Sequence, residues 1–306
     1  METLTGWERL TDADLALLAR NVEELRHDVG ASVNRLRVRP ELIDEVLARP
    51  EIATAVLGGA GSRQRPSDDP PMSDRALRDP LLRASPLLVF GVAVHAAAAD
   101  IVQARYVAEW AGVRQRLPVF TDPELTAFAA DPVRLSLLAS LLASYTRVAS
   151  GSVWVQTARG PRRRRYSELD LLRLASMLDA VPAPALPDLY RRLGDLALFL
   201  SGVFPDATAA RGFRPLDLQR LAAAIELHDA GSERLAEALA VRGAVGLLEQ
   251  LGARWYRLAL QRRPQEPQVS AVATTTEQFT QARRLLNHVT DAHLFGFRAQ
   301  WFPGAA

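Results

Sequence analysis

"SVWVQTARGPRRRRYSELD", residues 152–170, is the stretch that departs from the helical pattern of the chain around it. Val153, Val155 and Thr157 alternate with Trp154 and Gln156, the period-two pattern of a strand built from strong strand formers. "ARGP" supplies a turn, and "RRRRY" supplies a returning strand. With a four-residue loop, Val153 pairs with Tyr166 and Trp154 with Arg165. Two valines and a tyrosine then share the core face, and Trp154 lies among Arg163 and Arg165 on the other. Ser167 is expected to cap a following helix, with Glu168 in its first turn.

Outward from this hairpin, the spacing of apolar residues reads as helix. Toward the C-terminus, helices are expected over 167–180, 187–203, 215–230, 232–262 and 276–294. Toward the N-terminus they are expected over 132–149, 122–130 and 85–111, with proline and glycine marking most boundaries. "RRPQEPQVSAVATTT", 262–276, is an irregular connector. Residues 11–30 read as one helix stopped at Gly30, and residues 39–58 as a proline-started helix broken at Pro50. The fold class is therefore mainly α: a multi-helix bundle with one β-hairpin at about 153–166 and a small N-terminal helical subdomain.

Residues 1–57 carry 11 acidic and 7 basic side chains, although the whole chain has a net charge of +2. That asymmetry marks 1–57 as a subdomain that could rest on a basic face of the body. "GGAGSRQRPSDDPPMSDRALRDP", 58–80, is too polar and too rich in Gly and Pro to offset the entropy of ordering. Residues 58–84 are read as a flexible linker to a main domain over 85–306. Asp68, Asp69 and Asp74 within it are separated by prolines, so they share no helical face for a metal.

Of the 306 residues, 48% are hydrophobic and 24% charged, enough apolar content for a sizeable core. Cysteine is absent, which excludes disulfides, thiolate metal sites and cysteine nucleophiles. All 37 basic side chains are arginine, a bias that GC-rich coding produces without any nucleic-acid ligand. The acidic, interrupted start "METLTGWERLTDADL" is unlike a signal peptide. "LLVFGVAVHAAAADIV", 87–102, contains His95 and Asp100 and falls short of the roughly 20 apolar residues of a membrane span. A soluble cytoplasmic protein with no membrane partner is expected.

A short helix, a longer helix and a basic hairpin over about 122–166 resemble the second half of a winged-helix DNA-binding unit. The resemblance implies a groove-reading helix and a wing on phosphates. The longer helix, "PVRLSLLASLLASYTRVAS", has leucines at 135, 137, 138, 141 and 142 around most of its circumference. That pattern buries a helix rather than exposing a reading face.

Chemistry-bearing residues are sparse. His288 and Asp291 fall on one helical face, but His293 stands five residues beyond His288, outside the spacing of three or four that two helical metal ligands need. Glu226, His228, Asp229 and Glu233 gather at a helix junction. Asp195 follows Arg191 by four and Arg192 by three, an ion-pair spacing, and the adjacent Gly194 implies another element packed closely there. If that face turns inward, Asp195 becomes a buried charge that must be paired. His95 could line a polar pocket with Asp195, Arg191 and Arg192. No nucleophile elbow, phosphate loop or zinc motif occurs, so no catalytic residue, cofactor or metal ligand is assigned. The expected function is that of a non-enzymatic helical interaction or regulatory protein: Arg162, Arg163, Arg164, Arg165 and Trp154 contact an acidic protein surface or, as the alternative, a nucleic-acid backbone. The third reading is an enzyme with a pocket around Asp195 or His95.

Overall fold

The computed structural model describes residues 6–58, 82–120, 123–148, 150–157, 160–227, 231–263, 278–294 and 298–302. Most of the linker reading (59–81), most of the 262–276 connector, and His228 with Asp229 lie outside these residues.

The elements, in chain order, are α1 (Asp12–Arg20), α2 (Val29–Val38), α3 (Glu41–Leu47), α4 (Pro50–Leu57), α5 (Pro86–Gln103), β1 (Tyr106–Gly112) and β2 (Gln115–Phe120). They continue with α6 (Pro123–Ala129), α7 (Pro132–Ser144), β3 (Ser150–Thr157), β4 (Gly160–Ser167), α8 (Leu171–Ala175) and α9 (Leu186–Val203). The last are α10 (Pro205–Ala209), α11 (Pro215–Ala224), α12 (Gly231–Arg262), α13 (Phe279–Val289), a π-helical turn (Thr290–Leu294) and α14 (Arg298–Trp301). The fold is mainly α, with β3 and β4 forming the expected hairpin.

Three local expectations need correction. The helix expected over 85–111 ends at Gln103, and β1 and β2 form a further two-stranded sheet beside the β3–β4 sheet. Arg114 closes the connection between these strands with φ +57°, a left-handed conformation. The helix expected over 11–30 ends at Arg20. A new helix starts at Val29, where the Asp28 carboxylate accepts from Ala31 N at 2.9 Å, so Gly30 opens a helix rather than ending one. Asp170, not Ser167, caps the helix after the hairpin, accepting from Arg173 N at 3.2 Å.

The chain divides into two compact units. The first comprises 1–109, 118–146 and 285–301, the second 110–117, 147–284 and 302–306. Residues 1–57 thus share a unit with α5. An indole fastens them there. Trp7 is buried to 1% exposure, and its ring carbons reach 3.1 Å from where a Cβ on Gly91 would stand. Its Nε1 donates to Asp44 Oδ1 at 2.8 Å, and the same oxygen lies 3.3 Å from His95 Nε2. Asp14, which caps α1 through Thr11, also accepts from Ser85 N at 2.9 Å, joining the starts of α1 and α5.

Helix α5 is long and apolar enough to cross a membrane by composition alone, but 67% of it is buried inside the protein. The α7 leucines 135, 137, 138, 141 and 142 are all buried, as their distribution around the helix requires. Helices α6 and α7 belong to the first unit and the β3–β4 hairpin to the second.

The second unit is centred on α9 and α12. A Cβ on Gly194 would stand 2.7 Å from the Tyr256 ring, and one on Gly252 would stand 2.4 Å from the Phe279 ring. The bare glycine backbone lets both aromatics lie directly on the helices. Trp255, fully buried, donates from Nε1 to Ala224 O at 3.1 Å and so satisfies a carbonyl at the end of α11.

Trp7 sets the first testable consequence. Trp7→Ala should lower the unfolding free energy by about 3–5 kcal/mol in urea denaturation. Trp7→Phe, which keeps a ring but loses the bond to Asp44, should cost about 1–3 kcal/mol. A loss below about 1 kcal/mol for Trp7→Ala would mean that the N-terminal helices are not docked through this ring.

Candidate functional site

The hairpin is built from strand formers in β3 and from a glycine-started β4. Thr157 pairs with Gly160, Trp154 with Arg163, Val155 with Arg162, Val153 with Arg164 and Ser152 with Arg165. The connection therefore holds two residues, not four, and Gly160, the first residue of β4, has φ +96°. Because the register moves by an even number of positions, the faces are as expected. Trp154 stands directly opposite Arg163 in the strand pair. The side chains of Val153, Val155, Arg162, Arg164, Arg165 and Tyr166 lie outside the described residues.

Two described side chains carry the site. Trp154 is 73% exposed, so the arginine stems do not cover it. Arg163, directly across the strand pair, is also exposed, and its Nε donates to Ser152 Oγ at 2.6 Å. That bond holds the guanidinium on the tryptophan face. Among the described residues Arg163 has no carboxylate partner. The root of the hairpin is braced: Glu168, one residue past β4, accepts from Arg192 Nη2 at 3.1 Å and so ties β4 to α9.

Arg192 thus ties α9 to the hairpin root. Asp195 faces inward, where its Oδ1 accepts from the Tyr256 hydroxyl at 2.7 Å. Burial raises its pKa above the ordinary carboxylate value; the charge of Arg191, the Tyr256 hydroxyl and Arg192 pull the other way without cancelling the effect. His95 belongs to the other unit, with its Nδ1 2.8 Å from Gly91 O and its Nε2 close to Asp44. Of the four residues grouped in the sequence reading, Asp195, Arg191 and Arg192 lie in the second unit and His95 in the first.

A different cluster forms where the spacing argued against it. His288 Nε2 and His293 Nε2 lie 3.4 and 3.2 Å from the same Asp100 Oδ2. The π-helical turn Thr290–Leu294 is the reason: its wider winding brings residues five apart onto one face. Hydrogen bonds from His288 and then His293 hold Asp100 well below the usual carboxylate range. No group of three among the described residues could hold a metal ion.

Comparison with protein-family models, curated proteins and solved structures finds no match to this chain.

Asp195 yields a signed pH prediction. A carboxyl with a raised folded-state pKa holds its proton more tightly folded than unfolded. Its contribution favours folding at low pH and is lost as pH rises from about 3.9 through the folded value. Asp195→Asn keeps an oxygen for Tyr256 and removes the ionisation. The variant should be more stable than the parent at pH 7 and no more stable at pH 3, as measured by denaturant midpoints across that range. A loss of stability at pH 7 would show that the charge itself is required.

Proposed function

We propose that this chain is a non-enzymatic helical interaction protein that grips an acidic surface of a partner protein with its β3–β4 hairpin. The observation that carries the reading is the 73% exposed Trp154 directly opposite the exposed, Ser152-held Arg163. An exposed indole gains apolar burial when it is covered, and a guanidinium already held in place loses less freedom on binding a carboxylate. Tryptophan and arginine are also the side chains that most often dominate interface energies. The brace from Arg192 to Glu168 supports the reading because it fixes the root of the arm to a buried helix. A nucleic-acid backbone is the alternative occupant. It is less favoured because the leucines of α7 are buried, which leaves that helix no broad face for reading a groove.

Fluorescence anisotropy with a labelled Asp/Glu-rich peptide, a duplex and a single-stranded oligonucleotide separates the two occupants. The peptide should bind. Arg163→Gln and Trp154→Ala should each weaken binding at least about tenfold without moving the melting temperature. If the oligonucleotides bind instead, replacing Arg162 to Arg165 with glutamine should lower the log–log salt slope by up to about 3.6, and the hairpin is a phosphate clamp. Binding of neither probe ends both readings.

A further inference from the structure

Within the second unit, an open cleft of about 600 Å³ lies between α8 with the turn after it, the first half of α9, and the end of α11. Leu178, Leu186 and Ala223 give it apolar walls, and Asp179, Tyr190, Arg220 and Glu226 bring polar groups to it. Its volume falls in the range of small-ligand sites, which pair apolar walls with a few placed polar groups.

Glu226 is the telling residue. It occupies the second position past α11, just after the Ile225 cap, where Glu226 N donates to Ala223 O at 3.0 Å and Leu227 N to Ala222 O at 3.0 Å. That closing motif places its residue in the left-handed region, and Glu226 has φ +56°. Glycine is the unstrained choice there. The position instead carries a carboxylate, which reaches into a polar cluster. Its Oε1 accepts both the Tyr190 hydroxyl, at 3.1 Å, and Arg262 Nη2, while the Arg262 guanidinium stacks 4.7 Å from the Tyr190 ring centre. Burial, then the Glu226 charge, raises the Tyr190 pKa, so the hydroxyl keeps its proton and remains a donor. Both donors occupy one oxygen. Oε2 has no donor among the described residues, and Glu226 lines the cleft.

Asp179 and Arg220 also line the cleft, and neither has a hydrogen-bond or ion-pair partner among the described residues. Arg220 and Ala224 stand four residues apart on α11, about 6 Å along its axis at 1.5 Å per residue, and Glu226 follows just past the helix end. Between Arg220 and Glu226 lies the apolar step of Ala223 and Ala224, both at the cleft. An acid group at one end, an arginine at the other and an apolar floor between match a ligand with an ammonium, an apolar middle and a carboxylate. An extended peptide advances about 3.3–3.6 Å per residue, so about two residues span that distance.

We propose that this cleft binds a short apolar peptide with free termini, its ammonium on Glu226 Oε2 and Asp179 and its carboxylate on Arg220. This site is separate from the hairpin and does not depend on the hairpin's role.

Isothermal titration of the full chain with leucyl-leucine, its N-acetyl derivative and its C-terminal amide tests the assignment. The parent should bind the free dipeptide, and blocking either terminus should weaken binding at least about tenfold. Glu226→Gln, which keeps an oxygen for Tyr190, and Asp179→Asn should weaken the free dipeptide but not the already weakened N-acetyl form. Arg220→Gln should weaken the free dipeptide but not the amide. Asp179 and Arg220 are exposed, so their variants decide the matter if Glu226→Gln does not fold. Arg163→Gln should leave this binding unchanged. Absence of saturable binding up to about 10 mM, equal binding of the three peptides, or parent-like binding by the Asp179 and Arg220 variants would overturn the proposal.

Discussion

The second unit depends on how closely α9 and α12 approach. Two helices with ordinary side chains at their crossing sit about 8–10 Å apart. Here the crossing is opened by glycine: Gly194 on α9 receives the Tyr256 ring and Gly252 on α12 receives the Phe279 ring, with Ala197 beside it. Leu193, Leu196, Leu248 and Leu251 fill the remainder and are fully buried. The features with functional content hang from these helices. Arg192 on α9 braces the hairpin root, Tyr190 and Arg262 from the two helices meet at Glu226, and Asp195 is covered by the same Tyr256 that Gly194 admits.

Asp195 shows what that closeness demands. The ring that completes the packing also shields the carboxylate in part from water, and its hydroxyl supplies a hydrogen bond that offsets this burial. Sequence spacing made Asp195 part of an exposed ion pair unless its face turned inward, and the presence of Gly194 pointed to the inward case. In the first unit the equivalent role falls to Trp7, whose indole carbon edge rests against Gly91 while its N–H meets Asp44. In both units an aromatic ring packs on a bare stretch of helix backbone, and its polar edge meets a carboxylate.

The parts of the fold that were legible in the sequence are those with local causes. Pro86, Pro123, Pro132 and Pro215 each start a helix, and the alternation of Val153 and Val155 with Trp154 marks β3. The missed parts have distant causes. "YVAEWAG" follows an alanine-rich helix and reads as its continuation. It is a strand whose hairpin turn carries no glycine or asparagine, and Asp206 clamps that turn by accepting from Trp110 Nε1 at 2.8 Å and Arg114 N at 3.0 Å. A contact some 90 residues away leaves no mark on local spacing. The histidine pair on Asp100 was missed for another reason: the spacing of five was read with the period of an α-helix, and only a π turn makes it a single face. Of the candidate site, the pairing of Trp154 with an arginine face was legible from alternation alone. The length of the turn was not, because either a two- or a four-residue loop preserves the same faces.

The account rests on the close contact of Tyr256 with Gly194, and a double-mutant cycle at these two positions tests it most directly. With Tyr256 present, Gly194→Ala should destabilise the protein by about 1–3 kcal/mol, because the new methyl overlaps the ring. In a Tyr256→Ala background the same change should cost nothing and gain up to about 1 kcal/mol from the better helix propensity of alanine. An equal cost of Gly194→Ala in both backgrounds would contradict the account, since the glycine would then be serving something other than this ring.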